Sequence, residues 1–387
     1  MNVLDLVVVL AMVVAVVGGW RLGLITRALG WVGAALGVAV GISLVPALSR
    51  WLSPSTDAGV VLLTAGSFIL LVSIGQAIGV AIGSRLRPAV HEEGLRRVDA
   101  AGGSVLGAVG VVVIVWLLLP LLAGTEGWVS ATTRSSVIAR GVTDLLPPPP
   151  DSVARLERDL ANGNFPQLFA GLRPAPELPA PPEGSPVGPE VLEAALASTA
   201  RLQGTACGFV QSGSGFSVGD GLWVTNAHVV AGTGGTTLST PDGATGTGRV
   251  VAFDPRTDLA VVRSDDLRRP ALPLGESSEG DQGLVLGYPG GGSIEPSPYL
   301  VGEMLTATGY DIYDRDLVRR ELLILASDLE PGDSGSALID ADGRVVGAAV
   351  AVAPDRPGVA YALGSQSVGG LVSVAGADAV GTGECLR

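Results

Sequence analysis

Glu330-Pro331-Gly332-Asp333-Ser334-Gly335-Ser336 sets one serine in a glycine-framed loop that runs directly into the apolar strand residues Ala337-Leu338-Ile339. A serine hydroxyl is a weak nucleophile at neutral pH and needs a neighbouring base to take its proton as it attacks a carbonyl. Upstream, Leu222-Trp223-Val224-Thr225-Asn226 reads as a strand that delivers Ala227-His228-Val229-Val230 onto the turn after it. Between them, Thr257-Asp258-Leu259-Ala260-Val261-Val262 puts an acid at the head of another apolar strand.

Each fragment alone is a common turn or strand end. Together, in the order His, Asp, Ser and among short strands with glycine turns, they predict one catalytic constellation. His228 is the base, Asp258 the acid that fixes its tautomer, and Ser334 the nucleophile. Gly332 lets the backbone turn sharply, so that its N–H and that of Ser334 form an oxyanion hole.

Composition removes the competing chemistries. All 24 basic residues are arginine, so Ser-Lys hydrolases, Schiff-base enzymes and lysine-bearing phosphate loops are excluded. Two histidines and two cysteines cannot build a zinc finger or a multi-histidine metal site, and no metal or other cofactor is expected. From Arg201 onward 12 arginines face 23 acidic residues. Such an acidic surface argues against nucleic-acid partners, which need basic patches to displace counterions.

The first 123 residues obey a different solvent. Four apolar stretches, about 3–19, 28–48, 58–83 and 100–122, each approach the ~20 residues that a helix needs to cross a bilayer. The first lacks a basic N-terminal region and is followed by three more, so it reads as retained. Arg21 and Arg27 follow the first stretch, and Arg85, Arg87, Arg96 and Arg97 follow the third, whereas only Arg50 follows the second. Arginine is held on the cytoplasmic side, so both termini are predicted to face outward. No charge falls mid-span, which argues against an ion or proton pathway. His91 falls in the charged cytoplasmic loop and reads as a solvated surface residue. Glycine stripes at Gly33, Gly37, Gly41 and at Gly75, Gly79, Gly83 read as close helix packing within the bundle, with association between copies as the alternative.

From 124 to 189 the hydrophobic period disappears. Pro147–Pro150 form an unbroken run and seven prolines fall between 174 and 189. This predicts an extended spacer that holds the C-terminal domain off the membrane and is open to cleavage. A short helix is expected over 152–172 and another over 191–202.

Gly18-Gly19-Trp20-Arg21-Leu22-Gly23-Leu24, with Gly30 and Gly33, resembles the opening of the colicin V production protein family. Gly213-Ser214-Gly215-Phe216, Thr225-Asn226-Ala227-His228, Thr257-Asp258-Leu259-Ala260 and Gly332-Asp333-Ser334-Gly335-Ser336 resemble the matching blocks of trypsin-fold and HtrA-like proteases. The whole layout resembles the actinobacterial membrane-anchored acid-resistance serine proteases, the MarP family. That resemblance implies two six-stranded β-barrels with the active site between them, a location outside the cytoplasm, and a role in stress or acid resistance. No PDZ domain is expected after the catalytic core.

Cys207 and Cys385 stand near the two ends of this domain and suggest a disulfide clasp, with two unpaired buried thiols as the alternative. Asp328 stands six residues before Ser334, the spacing at which trypsin-like enzymes keep an acid at the base of the primary specificity pocket. A surface-loop role is the competing reading. Val350-Ala351-Val352 are expected to form a small-residue pocket wall and to pair with the substrate backbone as an added strand.

The expected fold is therefore an all-α four-helix transmembrane bundle (1–123), a Pro-rich linker (124–189) and an all-β chymotrypsin-like double β-barrel (190–387). The expected partners are a protein or peptide substrate and the lipid of the inner membrane. The expected function is a membrane-tethered serine endopeptidase. Two rivals stand beside it, a catalytically silent peptide-binding scaffold and a component of an export system.

Overall fold

A computed structural model describes residues 1–52, 57–86, 93–125, 127–147, 169 and 173–386. Contacts divide the chain into two units, residues 1–118 with 136–142, and residues 119–135 with 143–387.

In the first unit, α1 spans Val3–Leu52, α2 Asp57–Leu86 and α3 Glu93–Ala123. Among the described residues these give three helices long and apolar enough to cross a membrane. Leu6, Leu10, Val14, Ile69 and Val105 are exposed along them, as residues facing lipid are. The sequence predicts four separate spans, but the first two are joined in α1 and interrupted only at Gly23, with φ 80° and ψ 167°. That conformation is open to glycine alone, so one residue does the work expected of a loop. The helix restarts when Ile25 N–H donates to Asp99 Oδ1 on α3 at 3.0 Å. Arg27, expected in a loop, lies in α1 and folds back to donate to the Ala15 carbonyl at 2.8 Å.

The glycine stripes are engaged within the chain. A methyl group built on Gly33 would collide with the Gly75 backbone, one on Gly37 with Leu71 and Val72, and one on Gly79 with Leu29. Close backbone approach of this kind holds helices together where lipid supplies no hydrophobic drive. These contacts lie within one molecule, the first of the two uses that the sequence offered for the stripes. Asp5, which sequence patterning passes over, is fully buried. It exchanges capping bonds with Asn2 and accepts from Ser136 Oγ at 2.6 Å and Ile138 N–H at 3.0 Å, capping the helix Val137–Leu145 as well as its own.

Among the described residues the second unit is built on twelve strands in two closed barrels. The first contains β1 Thr199–Ala206, β2 Phe209–Gly219, β3 Leu222–Thr225, β4 Thr236–Ser239, β5 Thr245–Asp254 and β6 Leu259–Arg263. The second contains β7 Gln282–Gly287, β8 Glu295–Tyr310, β9 Leu317–Ala326, β10 Ala337–Ile339, β11 Val345–Val352 and β12 Val359–Gly364. Neighbours run β1-β2-β3-β6-β5-β4 and β7-β8-β9-β12-β11-β10, the same order twice, and closure gives each strand a neighbour on both sides over part of its length. One apolar cluster draws on the first barrel (Leu202, Trp223, Leu238, Val262) and another on the second (Tyr299, Val301, Leu323, Leu325). A third takes residues from both, including Phe216, Val224, Leu286, Leu322 and Ile324, and so fixes the seam on which the site sits.

The region expected as an extended spacer carries helices ahead of 152. Trp128–Ser135 and Val137–Leu145 are helical. Within the second unit the Pro-rich stretch 174–187 is extended as predicted, yet it packs on the barrels instead of standing clear. Ala175 and Val187 are buried in the shared cluster, Ala175 N–H donates to Asp355 at 2.9 Å, and Leu178 covers Gly302. Apolar residues interleaved with the prolines supply the reason, because a purely polar spacer would have nothing to bury. The helix expected over 152–172 lies outside the described residues. That expected over 191–202 is Pro189–Ala197, and Thr199 onward is already β1.

Candidate active site

His228 sits on a one-turn helix, Ala227–Val230, just after β3. Asp258 immediately precedes β6, which pairs with β3, so the two strands bring the residues together. Its φ of 63° turns the chain sharply there. The Asp258 carboxylate accepts twice from the same residue. His228 Nδ1 lies 2.7 Å from Oδ2, and the His228 backbone N–H donates to Oδ1 at 2.9 Å. Asn226 Nδ2 donates to the Asp258 carbonyl at 2.8 Å. With Asp258 wholly buried and His228 nearly so, the imidazole is held in one orientation, with Nδ1 on the carboxylate.

The Ser334 loop lies against this assembly. A side chain on Gly335 would strike the Ser214 carbonyl, Thr225 Oγ1 and Asn226 N, two residues before His228. Ser214 N–H donates to the Ser334 carbonyl at 2.8 Å, and Gly335 N–H to that of Ala349 at 2.9 Å.

Glu330–Asp333 make a type II turn, with Pro331 second, Gly332 third at φ 110°, and Asp333 N–H donating to Glu330 O at 3.0 Å. The Pro331 carbonyl accepts from Gly290 N–H at 2.6 Å, and the Gly332 carbonyl from Ser214 Oγ at 2.8 Å. Because C=O and N–H point opposite ways across a planar trans peptide, pinning the Pro331 oxygen aims the Gly332 N–H to the other side. Among the described residues neither the Gly332 nor the Ser334 N–H donates to another group. Two unused backbone donors, one of them on the serine itself, are what a developing oxyanion requires.

Asp333 is buried under the turn and accepts from Glu330 N–H at 2.9 Å. Burial raises its carboxyl to about 6, with the charges of Glu330 and Glu295 adding to the rise. A carboxyl raised on folding leaves stability intact below the unfolded value of 3.8, withdraws it as pH climbs to about 6, and has no further effect above. The loss amounts to about 3 kcal/mol. The native chain is therefore expected to gain melting temperature from this group as pH falls from about 6 toward 4, and Asp333→Asn to lose that gain. Parallel curves for the two proteins would contradict this origin.

The proposed pocket residues are dispersed. Asp328 is exposed, with Oδ1 3.5 Å from where a Gly358 side chain would start. Val350 is fully buried in the shared cluster. It lies on the same side of β11 as Ala348, as strand alternation requires, and the register shift between Ala349 and Ala351 then puts Ala351 in the same cluster. Ala351 is also buried and Val352 half-buried. β11 pairs with β12 through Val352 but with β10 only through Ala348, so the edge at 350–352 has a strand on one side alone.

Ser214, Asn226 and Gly290 escape a motif search for reacting groups because their roles are hydrogen bonds to backbone. Ser214 and Asn226 lie inside the short sequence blocks already singled out, which is the one signal available for them. Cys207 and Cys385 form a disulfide.

Comparison with known proteins supplies the family. Residues 213–347 match the trypsin-like peptidase domain, and residues 4–147 match the colicin V production protein. The chain is 32% identical to the serine protease Rv3671c of Mycobacterium tuberculosis, over 99% of its own length and 98% of the relative's. It belongs to the MarP-like serine proteases. The crystal structure of the active form of the Rv3671c protease covers 56% of the chain and all of that crystallised chain, with 33% identity and a TM-score of 0.50. A shorter match, 30% identity over 43% of the chain, is to the putative serine protease HhoB of Synechocystis, 39% of which is covered. The MarP-like layout thus joins apolar membrane helices to a β-rich, trypsin-like domain in one chain.

Proposed function

We propose that this protein is a membrane-tethered serine endopeptidase whose catalytic domain lies outside the cytoplasm. The observation that carries the reading is the doubly bound His228–Asp258 pair set beside a serine turn with two unused N–H donors. In this reading His228 Nε2 takes the proton of Ser334 Oγ as that oxygen bonds to the substrate carbonyl carbon. The charge that develops on the carbonyl oxygen is held by the Gly332 and Ser334 N–H groups. The same proton passes to the leaving amine as the C–N bond breaks, and water repeats the cycle to free the acid. No cofactor is required.

Substrate would pair as an added strand along the open edge at 350–352, where Val350 contributes backbone only. In this reading Asp328, exposed beside Gly358, would meet a basic side chain at the cleavage site, the surface-loop role being the competing reading. Placement outside the cytoplasm is supported by the arginine pattern of the loops and agrees with the disulfide, which persists in oxidising compartments. A role in stress or acid resistance rests on the family resemblance.

The deciding experiment treats the full-length protein in detergent with a fluorophosphonate probe and maps the adduct by mass spectrometry. A single adduct on Ser334 is expected. Folded, oxidised protein that takes up no probe, or takes it elsewhere, would sink the reading.

A further inference from the structure

The oxyanion turn belongs to the second barrel, yet one of its supports begins in the first. Arg201 lies on β1, opposite Ser214 on β2 and Ser239 on β4. Its guanidinium donates from Nη1 to the Gly291 carbonyl at 2.7 Å. Gly291 follows Gly290, both with left-handed φ, of 70° and 61°, in the loop that leaves β7. Gly290 N–H is the donor that pins the Pro331 carbonyl at 2.6 Å. The path therefore runs Arg201, Gly291, Gly290, Pro331, and ends on the peptide whose N–H is the Gly332 donor.

Two features mark Arg201 as more than surface charge. Among the described residues it makes no ion pair, and its Nε is buried without a partner. An arginine held half-buried without a carboxylate forfeits solvation that its one bond to a carbonyl only partly returns. Meanwhile the turn it reaches is bistable by construction. Proline second and glycine third are compatible with a peptide flip, which converts the type II turn to type I and replaces the Gly332 N–H by the Pro331 carbonyl in the hole. The flip requires Gly290 to release Pro331 O, and Gly290 is free to retreat only if Gly291 is.

We propose that Arg201 is a positioning residue for the oxyanion hole, holding the Gly290–Gly291 loop against Pro331 so that the Gly332 N–H faces the reacting carbonyl. The inference rests on the endopeptidase reading above. It gives the first barrel a second task besides carrying His228 and Asp258.

The test compares full-length native protein, Arg201→Gln and Arg201→Lys in detergent, with a peptide substrate and a peptide-aldehyde inhibitor whose hemiacetal oxygen occupies the hole. Arg201→Gln is expected to lower kcat by about 10- to 100-fold with KM little changed, one to two decades being what partial loss of an oxyanion donor removes. Aldehyde affinity should fall by a similar factor, while the pH at which kcat is half-maximal stays put because His228 is untouched. Arg201→Lys, which keeps a donor on a long stem, should recover part of both losses even if the Gln variant melts early. Native kcat in Arg201→Gln, a change in KM alone, or a drop in kcat with aldehyde affinity unaltered would each overturn the proposal. A native protein that the fluorophosphonate probe never labels at Ser334 would instead refute the endopeptidase reading itself.

Discussion

Ser334→Ala will lower peptide turnover by about a million-fold, the scale seen when a triad nucleophile is removed, and will leave the melting temperature nearly unchanged. The residual rate, still above that of water, measures what the oxyanion donors and substrate binding do unaided. Asp258→Asn should cost about ten-thousandfold, because an amide can donate toward Nδ1 and thereby stabilise the wrong tautomer of His228. Here the carboxylate also accepts the His228 backbone N–H, so the Asn variant can keep one bond and preserve the fold while it loses the other. Progress curves at high enzyme concentration, with circular dichroism on the same samples, check both. A turnover loss of less than a hundredfold in Ser334→Ala would show that another group attacks the substrate.

Reduction of the Cys207–Cys385 bond carries the largest expected effect on stability. The bond closes a loop of 178 residues. In the chain-entropy account, a loop of that size restricts the unfolded state enough to stabilise the fold by about 5 kcal/mol. For a domain near 190 residues this corresponds to a melting temperature lower by about 10–20 °C in Cys385→Ser. The tail that the bond anchors makes its own contacts with the first barrel. Val380 N–H donates to Val250 O, Gly232 N–H to Thr382 O, and Thr382 Oγ1 to Thr233 O. These bonds soften the loss but leave its sign. A Cys385→Ser protein that melts with the native one would mean that the tail contacts suffice.

The strands around the site were readable because each holds an apolar run ended by turn residues, as in Trp223-Val224-Thr225 before His228, Leu259–Val262 after Asp258 and Ala337–Ile339 after Ser334. Periodicity records which solvent a residue meets, and at those positions burial follows it. It failed where one backbone torsion decides the outcome. Gly23 breaks α1 without a polar loop, so hydropathy shows two spans and nothing of how they join. The register shift between Ala349 and Ala351 likewise puts Val350 and Ala351 in one cluster, with no mark in the composition. Polar supports were hidden for a related reason. Ser214 and Arg201 act on backbone carbonyls 118 and 90 residues away, and a carbonyl leaves no mark in a sequence. The prolines between 174 and 189 announced an extended chain but could not say what it would lie on, since Ala175 and Leu178 look no different in an open spacer.

The position of the disulfide has a consequence for survival in the company of proteases. Every backbone bond from Cys207 to Cys385, and so His228, Asp258 and Ser334 alike, lies inside one covalent ring. A single cut in any of its surface loops yields two chains that remain bolted together, able to keep their hydrogen bonds and to be read as one mass until a reductant separates them. A nick on the membrane side of Cys207 meets no such ring, and only there does one scission set the enzyme adrift.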